Sequence, residues 1–229
     1  LFDFDPEILR RVLLAVPAIL IAATFHEFAH GWAADRLGDG TARGMGRLTL
    51  NPIKHIDPLG SIVVPLVLAL LPGGFLFGWA KPVPVNPYNL RNPKTDMGWV
   101  AVAGPLANFA LALSAALVLR IVGATFSAHY SETAEFILGP LFAFLSFFIL
   151  INIILGIFNL IPIPPLDGGR IAVGLLPTHM AERLASIEPY GMLVIVVLFI
   201  WDPIGLWQHF LGPFISGILS LMLKIAGIG

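Results

Sequence analysis

The sequence predicts an all-α polytopic membrane protein, and three observations carry that prediction. The chain of 229 residues is 57% hydrophobic and only 12% charged, too little polar surface to clothe a soluble domain of this size. Its mean hydropathy is +0.88. Apolar stretches of about 20 residues, the helix length that spans a bilayer core, recur along it. The net charge of −1 offers no basic footprint for a nucleic-acid partner. The absence of cysteine excludes disulfides and thiol catalysis, and leaves nitrogen and oxygen as the metal donors.

About five transmembrane helices are expected. Asp3, Asp5 and Glu7 precede the first, with no basic start of the secretory kind, so this segment is expected to be retained. It runs from about Ile8 to Ala34. From Arg43 to Pro58 the pattern changes: Leu48 and Leu50 alternate with Arg47, Thr49 and Asn51, the periodicity of a short strand. Leu59 to Leu71 is apolar but short for a span, which predicts a re-entrant or shallow segment. Gly78 to Pro87, "GWAKPVPVNP", alternates proline with valine and is expected to be extended, because each proline removes a donor and restricts the residue before it. The second span runs from about Gly98 to Val122 and the third from about Ala134 to Leu160. A short fourth covers Leu184 to Trp201. The turn "DPIG" separates it from a fifth, about Ile204 to Ile228. No repeat or linker divides the chain, so one domain, residues 1–229, is expected.

Basic residues set the orientation. Arg36, Arg43, Arg47 and Lys54 follow the first span, Lys81, Arg91 and Lys94 precede the second, and Arg170 and Arg183 follow the third; all are expected on the cytoplasmic side. Arg10 and Arg11 oppose this assignment.

"ATFHEFAHGW", starting at Ala22, closes the first apolar stretch with His26, Glu27 and His30. Ionisable groups inside a membrane helix are costly and usually functional. Histidines four apart lie on one helix face, where two imidazoles hold one zinc and the glutamate stands beside a zinc-bound water. The bland reading is a polar helix contact or a water pocket. A hydrolytic site needs a third protein ligand and one open position. Asp167, in "NLIPIPPLDGGR", is the candidate: it follows backbone broken by Pro162, Pro164 and Pro165. Asp-Gly is also an ordinary turn pair, and both readings stand. In "AVAGPLANF", Gly104 and the alanines around it offer a narrow packing face. Asn108 is either one polar contact in that packing or a donor to substrate or a developing oxyanion. Asn152 shares a helix face with Asn159 and takes no assignment. His55, His129, His179 and His209 have no partner at ligand spacing and read as surface or interfacial residues.

"HEFAH", "GPLAN" and "NLIPIPPLDGG" together resemble the site-2 protease family of intramembrane metalloproteases. "GWAKPVPVNP" and "RLTLNPIKHIDPLG" look like its compact prokaryotic branch, and no PDZ-like insertion is visible. The resemblance implies that His26, His30 and Asp167 ligate one zinc per chain. It implies Glu27 as general base, with Asn108 and Asn159 as accessory or substrate-binding residues. It places the catalytic core at about residues 8–170, with accessory C-terminal helices at about 184–228. The expected function is hydrolysis of peptide bonds in a transmembrane or membrane-associated segment by zinc-activated water. The expected setting is the lipid bilayer of a prokaryotic cell membrane, with the active site toward the cytoplasm. The alternatives are a catalytically silent zinc-binding membrane protein and a transporter. Glu27 argues against the first, since a structural zinc needs no base. The clustering of polar residues at one depth argues against the second. A strand edge at Arg47 to Asn51, or at Val83 to Val85, is expected to pair with unwound substrate backbone.

The same reading carries a topological expectation. Asp167 meets the two histidines only if the chain from Arg36 to Lys94 begins and ends on one side. A single crossing by Leu59 to Leu71 would separate them.

Overall fold

The computed structural model describes residues 6–64, 78–128, 131–202 and 205–228. Among these residues the chain is helical, with no strand. Helix α1, Pro6–Arg36, is followed by a single turn, α2, Thr41–Gly44. The long helices α3, Pro93–Ala128, and α4, Glu132–Asn159, come next. Three shorter ones follow: α5, Asp167–Leu175, α6, Thr178–Ala185, and α7, Glu188–Trp201. A wide helical turn, Leu206–Leu211, leads into α8, Gly212–Ala226.

Among the described residues, four segments are long and apolar enough to cross a membrane: Val12–Arg36, Pro93–Ala124, Glu132–Asn159 and Leu206–Ala226. These correspond to the first, second, third and fifth expected spans. The expected fourth is different. Its region divides between α6 and the 14-residue α7, and 14 residues rise only about 21 Å against a hydrocarbon core of about 30 Å.

Helix α3 is the centre of the bundle, packed on α1, α4, α5 and α8. The core explains why. Ala18 and Ala22 of α1 meet Ala112, Ala115, Ala116 and Leu119 of α3, and Leu145, Phe148, Ile149 and Ile153 of α4, with Met222 and Ala226 of α8 closing the cluster. Lipid is as apolar as leucine, so membrane helices associate through close backbone approach, and alanine permits it. Other large apolar residues face outward: Leu13, Leu117 and Ile121 are exposed. Pro17, Pro105 and Pro140 lie inside their helices, tolerated where neighbouring helices re-satisfy the freed carbonyls.

At the other end of α1 the chain turns at Gly38, whose φ is +115°. A Cβ there would also stand 3.0 Å from the Asn89 carbonyl oxygen, so this turn takes glycine for both reasons. The strand expected at Leu48 and Leu50 does not form. The amides of Arg47 and Leu48 turn back onto the Ala42 carbonyl, at 2.8 and 3.2 Å, so they have no N–H left for a ladder. Residues 78–86 form no helix, as the prolines lead one to expect, and Pro87 opens the 3-10 turn Pro87–Asn89; the stretch has no ladder partner among the described residues. It is held by Lys81 N–H to the His55 carbonyl (2.8 Å) and by Arg47 Nη2 to the Lys81 carbonyl (3.0 Å). His55, expected near the surface, is buried and donates from Nε2 to the Thr49 carbonyl at 2.8 Å. His179 and His209 are exposed, and His129 lies outside the described residues.

Residues 65–77, most of the short apolar segment, also lie outside the described residues. Their flanks are informative. The Trp79 amide donates to the Gly60 carbonyl at 3.1 Å, and Ser61 Oγ donates to the Trp79 carbonyl at 2.8 Å. Residues 60 and 79, which flank the segment, are therefore neighbours.

Candidate metal centre

Three elements converge at one end of the bundle. His26 and His30 project one turn apart from α1, as their spacing requires. Asp167 is the first residue of α5, reached through the proline-broken loop after α4. That loop is tightly folded on itself. A Cβ at Gly168 would lie 2.2 Å from the Leu160 carbonyl oxygen, and one at Gly169 would lie 2.2 Å from the Pro164 nitrogen. The two glycines after Asp167 thus let the helix start directly beneath the loop. A carboxylate at a helix N-terminus is also electrostatically favoured.

The donor atoms face one another. His26 Nε2 and His30 Nε2 are 3.0 Å apart. Asp167 Oδ2 lies 3.1 Å from His26 Nε2, and Oδ1 lies 3.3 Å from His30 Nε2. His26 and Asp167 are buried. The far side of each imidazole is already occupied. His30 Nδ1 donates to the Val100 carbonyl at 2.7 Å, and His26 Nδ1 lies 2.7 Å from Asn108 Oδ1. A carbonyl only accepts, so the neutral His30 carries its proton on Nδ1 and presents a bare Nε2. Asp167 Oδ2 is buried without a hydrogen bond. Electron-rich atoms gathered this closely in a buried site repel one another unless a cation lies among them. The donor set of two imidazoles and one carboxylate fits zinc with an open position.

Helix α3 reaches this site only because residue 104 is glycine. A Cβ there would fall 2.5 Å from His30 Nε2 and 2.6 Å from His26 Cε1. The narrow face read in the sequence therefore packs on the two imidazole rings as well as on helix backbone.

Glu27 points elsewhere on α1, toward the proline-rich segment: its Oε2 accepts the Val83 N–H at 2.7 Å. This contact corrects the expectation of a free strand edge at Val83, whose donor is already committed. The segment is itself tied down by Asp39, which is fully buried. Asp39 Oδ2 accepts the Asn86 N–H at 2.7 Å, and Oδ1 accepts Asn89 Nδ2 at 2.9 Å, Thr41 N–H at 3.1 Å and the Thr41 hydroxyl. Burial pushes the Asp39 carboxyl up, but these hydrogen bonds outweigh it and hold the group below the usual carboxylate range.

Asn108 is buried with its amide committed: Nδ2 donates to Asn152 Oδ1 at 2.9 Å and to the Ala22 carbonyl at 3.3 Å. It sits behind His26, where it orients the ring, and has no free group for substrate or an oxyanion. Asn159 donates to the Leu155 carbonyl of its own helix at 3.0 Å and shares no hydrogen bond with the cluster among the described residues. The sequence reading missed Val83, Val100 and Asp39. The first two act through backbone atoms, which no side-chain pattern reveals. Asp39 stands in "LGDGT", where an aspartate reads as an ordinary turn residue.

The model for Peptidase family M50 matches residues 14–200. The chain belongs to peptidase family M50. This is the site-2 protease family, in agreement with the resemblance carried by the three motifs. Among curated proteins the M50 chain is similar to YwhC of Bacillus subtilis (strain 168), named as a candidate zinc metalloprotease. They are 38% identical over 210 residues, which is 92% of this chain and 89% of that protein. Rip2 of Mycolicibacterium smegmatis, named in the same way, is 31% identical over 218 residues, 94% of this chain and 78% of its own. Rip2 of Mycobacterium tuberculosis (strain H37Rv) is 29% identical over 216 residues, 94% and 75% of the two chains. No solved structure matches the chain.

Proposed function

We propose that this M50 chain is an intramembrane zinc metalloprotease that cuts peptide bonds in transmembrane or membrane-associated segments. The carrying observation is the convergence of His26 Nε2, His30 Nε2 and an Asp167 carboxylate without a hydrogen bond on Oδ2. His26, His30 and Asp167 would hold the metal. When bound, zinc acidifies a water and polarises the scissile carbonyl.

Glu27 is the general base in this reading. Its Oε2 is fixed by the Val83 N–H, which leaves Oε1 to take the proton and later to return it to the leaving amine. Val100 and Asn108 hold the imidazoles from behind and keep their Nδ1 atoms out of the reaction. The substrate is a membrane-embedded helix, whose peptide bonds must be freed from their internal hydrogen bonds before attack. Basic residues that flank the first and second spans, among them Arg36, Lys81 and Lys94, favour the cytoplasmic side of a prokaryotic cell membrane.

The test uses the purified chain beside Glu27→Gln and Asp167→Ala, with zinc content and cleavage of a transmembrane peptide measured together. About one zinc per wild-type chain with cleavage, metal without cleavage in Glu27→Gln, and loss of metal in Asp167→Ala would support the reading. A folded wild type that holds no zinc would overturn it.

A further inference from the structure

We infer that Asn152 is a positioning residue for the metal centre: through Asn108 it dictates which nitrogen of His26 carries the proton. The inference builds on the zinc-ligand reading of His26. It starts from atoms whose hydrogen-bonding character is not adjustable.

Asn152 and Asn108 are both fully buried. Asn152 lies 2.9 Å from the Phe148 carbonyl oxygen, one turn earlier in α4. A carbonyl accepts and never donates, so the NH2 of Asn152 faces it and the Asn152 oxygen faces away. That oxygen lies 2.9 Å from Asn108, on α3. Asn108 must answer with its own NH2, which the Ala22 carbonyl on α1, at 3.3 Å, also requires. The Asn108 oxygen is then turned to His26 Nδ1 at 2.7 Å and can only accept. His26 carries its proton on Nδ1, and its Nε2 lone pair faces His30 and Asp167.

Each amide on its own has two orientations of equal shape. The fixed carbonyls of Phe148 and Ala22 remove that freedom, and the choice passes across three helices to the metal ligand. His30 receives the same instruction directly, from the Val100 carbonyl. In an apolar bundle a flipped amide would leave buried groups facing like partners, so the selection is steep. A histidine in the opposite tautomer must shed its Nε2 proton before it binds a metal.

The experiment reads the tautomer and the metal separately. Imidazole 15N resonances are recorded on chelator-stripped full-length protein, and zinc affinity is measured by competition with a chromophoric chelator, for the wild type, Asn152→Leu and Asn152→Asp. The wild type should show His26 protonated on Nδ1. Asn152→Leu, which leaves the Asn108 NH2 only the longer 3.3 Å contact to the Ala22 carbonyl, should show mixed tautomers and bind zinc about 10- to 100-fold more weakly. Asn152→Asp should stay within about threefold of the wild type, because a protonated carboxyl donates to Phe148 and still accepts from Asn108. A merely structural role for Asn152 would lower stability in both variants without moving the tautomer. A wild-type His26 protonated on Nε2 overturns the inference, whatever the variants do and even if they fail to fold. A folded Asn152→Leu with wild-type tautomer and affinity does so as well. If the wild type binds no zinc, the protease reading fails, while the 15N spectrum still decides whether the amide pair sets the tautomer.

Discussion

At the scale of single residues, the proposed mechanism separates holding a metal, given to His26, His30 and Asp167, from moving a proton, given to Glu27. Glu27 Oε2 is held by the Val83 N–H at 2.7 Å. Glu27→Gln keeps the shape and the ability to accept that bond, but loses the basic oxygen. Zinc content should be unchanged while the cleavage rate falls about 10²- to 10⁴-fold, measured by metal analysis and peptide turnover on one preparation. Gly104 offers a sharper test of geometry. Gly104→Ala raises intrinsic helix propensity by about 1 kcal/mol, yet its methyl would press within 2.6 Å of both rings. Zinc affinity should drop about tenfold or more while helical content is retained, as read by chelator competition and circular dichroism. Gly123→Ala is the control, because its Cβ meets Phe142 at an ordinary 3.7 Å and should leave the metal untouched.

At the scale of elements, the proline-rich segment from Gly78 to Pro87 cannot hold itself in place. Prolines at 82, 84 and 87 remove three donors, so side chains and stray amides fix it. Asp39 is the principal tie, taking bonds from Thr41, Asn86 and Asn89. Asp39→Ala would strand these donors and should cost about 2–3 kcal/mol of local stability, seen as faster hydrogen exchange at Asn86 and impaired cleavage. The pH dependence has a definite sign. The folded carboxyl sits below its ordinary value of 3.8. The stabilisation is therefore complete above the unfolded value and is lost as pH falls through the lower folded one. Exchange at Asn86 should stay slow near neutrality and accelerate only under acid below about pH 4; acceleration near pH 6 would point to a different group.

At the scale of the whole molecule, the proposed metal ligands come from helices far apart in the chain, so in that reading binding and folding are linked. His26 and His30 lie on α1 and Asp167 opens α5, with α3 packed between and against them. A ligand that binds only the folded bundle stabilises it by about 2.7 kcal/mol at one hundred times its Kd. Chelation should accordingly lower the thermal midpoint of the detergent-solubilised protein, and added zinc should restore it. The same cycle in Asp167→Ala should move the midpoint little. A wild-type midpoint indifferent to chelator would break the link between this cluster and a bound metal.

The sequence by itself determined the helical membrane class, three of the long helices to within a few residues, and the grouping of His26, Glu27 and His30 on one helix. All of these follow from local periodicity: runs of apolar residues and a four-residue repeat are properties of neighbouring positions. It also required that the chain between Arg36 and Lys94 return to its starting side; residues 60 and 79, on either side of the short apolar segment, are hydrogen-bonded to each other. Other features were decided only by the tertiary structure. The Leu48–Leu50 alternation gave no strand, because its amides found the Ala42 carbonyl first. The fourth apolar run became a 14-residue helix pinned by Gly191, where a Cβ would lie 1.6 Å from the Pro164 carbonyl oxygen. Asn108 read either as a packing contact or as a donor to substrate and stands behind His26, while Asn152 was given no role. Asparagine reads alike in a sequence whether it faces substrate, water or another amide. Which partner it meets depends on helices 44 and 82 residues away, and that distance is closed only when the bundle packs.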